Sequence, residues 1–163
     1  MAHEALMAEL DQRRDKARAM GGEAKLAKRR ERGQLNAMER LDALVDENTF
    51  FEMGLLGASA VYETDIASTP RDGKLTGFAR INGRDVGVVV NEFTTKGAST
   101  STTNSKKMGY IRKTCVERGL PFVHIGESTG ARLPDAMGSK GMGQLLGNDT
   151  TQFKRMRETP WAA

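Results

Sequence analysis

The run Pro121-Phe-Val-His-Ile-Gly-Glu-Ser-Thr-Gly130 decides the fold. Its first half reads as a short buried strand, Pro121 to Ile125, that feeds directly into a glycine-bounded turn, Gly126 to Gly130. A strand ending in small residues exposes successive backbone N–H groups, and a helical turn after it aims more of them at one point. That arrangement can stabilise an oxyanion. An ordinary strand-to-helix turn carries the same signature, so both readings are open on this feature alone.

Outward from this run, Leu75–Ile81 and Asp85–Val90 are two strand-like stretches separated by Asn82-Gly83, the strongest short hairpin signal. Val86 to Val90 is apolar on both faces, which predicts a central strand. Residues 94–104 are polar and turn-rich and lead into a helix beginning near Asn104. Met108, Ile111 and Cys115 share one face of that helix, and Gly119 ends it. Hairpin, helix, strand and glycine turn in this order make the chain α/β.

The first 46 residues have a different character. Leu6, Leu10, Ala17 and Met20 recur near helical spacing until Gly21-Gly22, and Glu23 to Arg32 resumes until Gly33. Asn36, with Glu39 three residues on, resembles a capping box. The helix it starts buries Met38, Leu41, Leu44 and Val45. We therefore expect a helical N-terminal arm over residues 1–46 and an α/β unit over 47–163. From Pro134 onward the pattern is irregular, and Gly138-Ser-Lys-Gly-Met-Gly143 reads as a flexible linker.

Composition limits the function classes. The 163 residues are 28% charged, with 18 glycines, one cysteine and only 6% aromatics. No stretch approaches the ~20 apolar residues of a membrane span, so no membrane partner is expected. Glu4, Glu9 and Asp11 argue against a secretory or transit peptide, which makes a cytoplasmic location the expectation. The net charge of +4 is concentrated at Lys25, Lys28, Arg29, Arg30 and Arg32. That run is either a solvated helical face or a phosphate cradle. Nucleic acid is not expected, because no aromatic residue interleaves with the cations. Nor does any His, Cys and carboxylate cluster have metal-ligand spacing.

Gly126-Glu-Ser128-Thr-Gly130 matches the G-x-S-x-G nucleophile elbow, yet the histidine that a triad requires after the serine is missing. His3 and His124, the two histidines, both precede Ser128. Without a base the hydroxyl is a weak nucleophile, which leaves a serine hydrolase as a remote alternative. His124 reads as a packed, hydrogen-bonded side chain, and Cys115 as a small core residue.

Three segments together resemble the carboxyltransferase family of propionyl-CoA carboxylase β type. Arg32-Gly-Gln-Leu-Asn-Ala-Met-Glu-Arg-Leu-Asp42 is similar to the family's R-G-K-L-T-A-R-E-R-[IL]. Asp72-Gly-Lys-Leu-Thr-Gly-Phe-Ala-Arg80, with Asn91-Glu-Phe-Thr94, stands where the family has D-G-V-V-T-G and D-F-T. Ser128-Thr-Gly-Ala-Arg132 stands at S-G-G-A-R. Order and spacing match, and the three segments cover nearly the whole chain.

The resemblance implies a crotonase-like fold, a superhelix of ββα units, here incomplete. It also implies carboxyl transfer from carboxybiotin, carried by a biotin carrier of a partner subunit with its biotin carboxylase, to the α-carbon of an acyl-CoA. Carboxybiotin releases CO₂, the freed biotin takes the α-proton, and backbone N–H groups hold the thioester enolate. Carried over by position, the N–H groups of Thr129 and Gly130 are the donors, and Ser128, Ala131 and Arg132 shape the substrate-binding turn. Lys28 and Arg32 then meet the CoA phosphates. Thr129 departs from the pattern by replacing its first glycine. The family continues into a further strand and glycine turn and a second domain that brings biotin across a dimer interface. The expectation is therefore a chain inactive alone, completed by another chain or by a homo-oligomer. The alternative is a noncatalytic CoA-binding or assembly piece, such as a split subunit.

Overall fold

The computed structural model describes residues 2–59, 66–137 and 161–162. Three helices come first: α1 (Ala2–Arg18), α2 (Glu23–Glu31) and α3 (Ala37–Asp42). The breaks fall where the glycines predict, since Gly22 has φ 92° and Gly33 φ 66°. At α3 the capping box forms in full. Glu39 N–H donates to Asn36 Oδ1 at 3.0 Å, and Asn36 N–H donates to Glu39 Oε2 at 2.7 Å.

A five-stranded mixed sheet follows, with β1 (Phe51–Glu52), β2 (Lys74–Ile81), β3 (Arg84–Asn91), β4 (Phe122–Ile125) and β5 (Trp161–Ala162) lying in chain order. The first three strands pair antiparallel, and β3, β4 and β5 pair parallel. Asn82 and Gly83 both take positive φ, 51° and 75°, as a two-residue hairpin turn of the primed type demands. Helix α4 (Thr102–Arg118) makes the crossover from β3 to β4. It begins two residues before the expected Asn104 because Ser101 is the N-cap and Asn104 closes the box from the third helical position. Gly119, in the left-handed conformation at φ 65°, ends it as expected.

Strand β3 is central, and its two faces explain its unbroken apolar run. Val86, Val88 and Val90 point one way, onto Leu75, Ala79 and the α3 residues Ala37 and Leu41. Val89 points the other way, onto Ile111 and Cys115 of α4 and onto Phe122. Burying side chains of this size contributes about 1.5–3 kcal/mol each. Gly87 lets α4 lie close against the sheet, because a Cβ there would collide with Cys115 Sγ and Ile111. After β4, residues 126–132 run beside the Lys96–Ala98 turn, and the short helix α5 (Leu133–Ala136) follows. The stretch read as a linker, 138–143, lies outside the described residues.

Candidate functional site

The seating of the helical arm creates the site. Gly21 N–H donates to Thr94 Oγ1 at 3.0 Å, and Lys25 Nζ donates to the Thr94 carbonyl at 3.1 Å. The buried Glu92 carboxylate accepts the Ala37 N–H at 3.1 Å and the Thr94 N–H at 2.8 Å. Arg29 lies over the Phe93 ring, 5.6 Å from its centroid, and Arg40 Nη2 donates to the Asn91 carbonyl at 2.6 Å. Asn91-Glu-Phe-Thr94 is thus the dock for α2 and α3, which gives that motif a physical reason.

Between α2 and this dock runs an open groove of about 590 Å³. Five cations line it: Lys25, Lys28, Arg29, Arg32 and Lys96. Gly97, Glu127 and Thr129 also line it, so the groove reaches the glycine turn. Elsewhere on the arm the arginines of α1 and Arg30 are matched locally, while the exposed Lys16 has no ion-pair partner among the described residues. Arg13 pairs with Glu9, Arg14 with Asp11, Arg18 with Asp15, and Arg30 with Glu23 and Glu39. Lys28 and Arg32 are exposed and have no ion-pair partner among the described residues.

The turn itself is exposed from Ser128 to Ala131. Thr129 N–H donates to the Gly97 carbonyl at 3.0 Å, and Gly130 N–H donates to Ser128 Oγ at 3.1 Å. Ser128 Oγ in turn donates to the Ala98 carbonyl at 3.2 Å. Both expected oxyanion donors therefore have partners within the chain. Gly130 is the easier to release, since its partner is a hydroxyl that can rotate. No helix begins at Ser128 to supply further N–H groups; α5 starts only at Leu133. Ala131 pairs with Thr100 in a parallel bridge, and Thr100 N–H donates to the Gly130 carbonyl at 2.8 Å. Thr129 rests on Gly97, where a Cβ would come within 2.5 Å of its methyl. The branched side chain that replaces a glycine therefore sits against a glycine.

Arg132 faces inward, away from the groove. Its Nη1 lies 2.6 Å from Asp72 Oδ1, and its Nε donates to Ser99 Oγ at 3.1 Å. Its guanidinium is thus engaged within the fold, on Asp72 and Ser99. Nor does a base among the described residues reach Ser128: His124 Nε2 is 3.1 Å from Asn91 Oδ1. Lys74 Nζ donates to the same oxygen at 2.8 Å, while Asn91 Nδ2 donates to the Glu127 carbonyl at 3.2 Å. With that oxygen fixed as an acceptor, His124 must carry its proton on Nε2. Burial, with Lys74 and Arg112 nearby, pushes His124 down to about 4, and burial lowers Lys74 to about 8. No group of three or more His, Cys, Asp or Glu able to hold a metal occurs among the described residues.

Residues 28–156 match the model of the carboxyl transferase domain family. The chain belongs to that family. It is 35% identical over 144 residues to the propionyl-CoA carboxylase beta chain of Roseobacter denitrificans, a match covering 86% of this chain and 28% of the relative. To the biotin-dependent long chain acyl-coenzyme A carboxylase beta4 subunit of Mycobacterium tuberculosis it is 36% identical over 133 residues, covering 82% of this chain and 25% of that one. The transcarboxylase 12S structure with methylmalonyl-coenzyme A bound superposes with a TM-score of 0.75 at 28% identity, covering 93% of this chain and 28% of its own. The fold is thus that of the crotonase-like carboxyltransferases, and the chain spans only about a quarter of the length of the curated relatives it matches.

Sequence reasoning named Lys28, Arg32 and Thr129, and the fold brings all three to one groove. It passed over Lys96, Phe93 and Glu127. Lys25 and Arg29 stood in the basic run but were not singled out, although their four-residue spacing places both on one helical face. Nothing local marks Glu127, whose partners are distant in sequence.

Proposed function

We propose that residues 1–46 form a helical arm and 47–163 part of a carboxyltransferase N-domain, which together bind an acyl-CoA in the groove. The thioester would lie at the Thr129–Gly130 turn, and Lys28, Arg32 and their neighbours would hold the phosphates. The reaction is carboxyl transfer to the acyl α-carbon from carboxybiotin, a substrate delivered on the carrier of a partner biotin carboxylase. The biotin side of the site comes from a second domain on another chain or another copy. A cytoplasmic location goes with this reading. The observation that carries it is the groove, which five cations line and whose wall includes the glycine turn. A second reading, a noncatalytic CoA-binding or assembly chain, draws support from the engagement of both turn amides within the chain.

Calorimetry with CoA and with dephospho-CoA tests the groove. The wild type is expected to prefer CoA, and the preference is expected to shrink with salt, since exposed ionic contacts are screened over ~8–10 Å at physiological strength. Equal affinity for CoA in the wild type and a Lys28→Ala, Arg32→Ala double variant would sink the assignment. Fixation of labelled carboxyl into an acyl-CoA, by the chain reconstituted with its carrier and second-domain partners, separates the enzyme from the assembly piece.

A further inference from the structure

We propose that Glu127 is a positioning residue that latches the glycine turn to the helical arm, so that the geometry of the turn depends on the arm being seated. Glu127 is the carboxylate among the groove's five cations, and its oxygens are held by two different helices. Arg29 of α2 donates to both, Nη1 to Oε1 at 3.0 Å and Nη2 to Oε2 at 2.9 Å. Arg40 of α3 places Nη1 3.1 Å from Oε2. Such bidentate pairing fixes orientation as well as distance. Arg29 is itself seated by the Leu35 carbonyl at 3.1 Å and by the Phe93 ring. The Glu127 carbonyl meanwhile accepts from Asn91 Nδ2. Ser128 and Thr129 follow directly, so side chain and backbone of Glu127 together set where the exposed turn begins.

Charge and position predict opposite signs, which makes the role testable. Removing a carboxylate from a basic groove strengthens its pull on anions. Removing a latch loosens the turn and frees the Arg29 and Arg40 side chains that the carboxylate holds. Only the link to catalysis rests on the acyl-CoA reading; the coupling between arm and turn does not.

The experiment is amide hydrogen exchange by NMR on the full chain, with CoA affinity measured alongside. In Glu127→Gln, the Thr129 amide is expected to exchange about tenfold faster, while β2 and β3 ladder amides stay within about twofold of wild type. Glu127→Asp, which keeps the charge, is expected to return Thr129 to within about threefold. CoA affinity of Glu127→Gln is expected to be equal or higher. The latch is overturned by an unchanged Thr129 amide, by equal acceleration throughout the sheet, or by an Asp variant as loose as the Gln variant. Should Glu127→Gln not fold, Arg40→Lys, which weakens the same cluster from α3, is read by the same criteria. A wild type that does not bind CoA defeats the acyl-CoA reading and leaves the exchange result to decide the latch.

Discussion

Arg132 and Asp72 form a buried ion pair, Nη1 to Oδ1 at 2.6 Å, that ties the end of the glycine turn to the loop entering β2. Asp72 is fully enclosed, and its other oxygen accepts from Ser101 Oγ and from the Asn104 N–H at the cap of α4. Two resemblance motifs sixty positions apart therefore meet at one carboxylate.

Arg132→Met should be severely destabilising, because the buried Asp72 carboxylate loses its directly bonded cation and keeps only neutral hydrogen-bond donors, Ser101 Oγ and the Asn104 N–H. Breaking one side of a buried pair costs about 3–5 kcal/mol. The Asp72→Asn, Arg132→Met double variant should recover part of that loss, since the Asp72 charge is gone, but not all of it, because the buried Asp135, whose Oδ2 lies 3.7 Å from Arg132 Nη1, still loses its cation. Urea midpoints at constant slope measure both. A loss below about 1 kcal/mol for Arg132→Met, as for a surface pair, would contradict the buried-pair account.

Gly87→Ala should destabilise by overpacking, for its Cβ would collide with Cys115 Sγ and come within 2.9 Å of Ile111 Cγ2. The cost of such insertions is about 1–3 kcal/mol. Cys115→Ala in the same chain removes the nearer obstacle. The double variant should therefore be more stable than Gly87→Ala alone, as judged by thermal midpoints. A double variant less stable than Gly87→Ala would show that α4 does not press on the sheet at this point.

Acid should unfold the chain partly through His124. Its folded-state value is depressed to about 4, burial being the chief cause. The unfolded side chain titrates near its ordinary ~6.5. Between those values the unfolded state binds the extra proton, so stability present above about pH 6.5 is lost as pH falls toward 4. Protonation would add a second cation beside the oxygen that Lys74 already engages. A His124→Gln variant keeps an N–H donor and should show a flatter stability profile across that window. Identical acid limbs in both proteins would remove His124 from the account.

Local chemistry made much of the fold legible. The capping box at Asn36, the Asn82-Gly83 turn and the stop at Gly119 are each dictated by residues within a few positions. The central place of β3 was legible because only a strand covered on both faces needs Val88, Val89 and Val90 in succession. The site was legible only in part. Lys28 and Arg32 stand out by charge and Thr129 by the turn, but their convergence on one groove is tertiary. The buried, inward setting of Arg132 and the double grip on Glu127 depend on partners 33 to 98 positions away, and no periodicity carries that information.

In a complete carboxyltransferase assembly the turn should act through its main chain. Ser128→Ala removes the hydroxyl that now accepts the Gly130 N–H, at a stability cost of about 1 kcal/mol. It also leaves that N–H free for a substrate oxygen, so turnover should be unchanged or modestly raised. Thr129→Gly should be tolerated, since the replaced side chain only fills the space over Gly97. Gly130→Val should be severe. Gly130 has φ 105°, a region that a β-branched residue scarcely enters, while none of the described residues lies within 4 Å of where its Cβ would be. The damage would thus come from backbone geometry and not from a clash. Losing one oxyanion donor costs about 10²–10³ in rate, which separates Gly130→Val clearly from the two mild variants. Carboxyl transfer measured for each variant in the same reconstituted assembly gives the ranking. If Ser128→Ala abolished transfer and Gly130→Val left it intact, Ser128 would have to be a nucleophile after all, although among the described residues no base touches its hydroxyl.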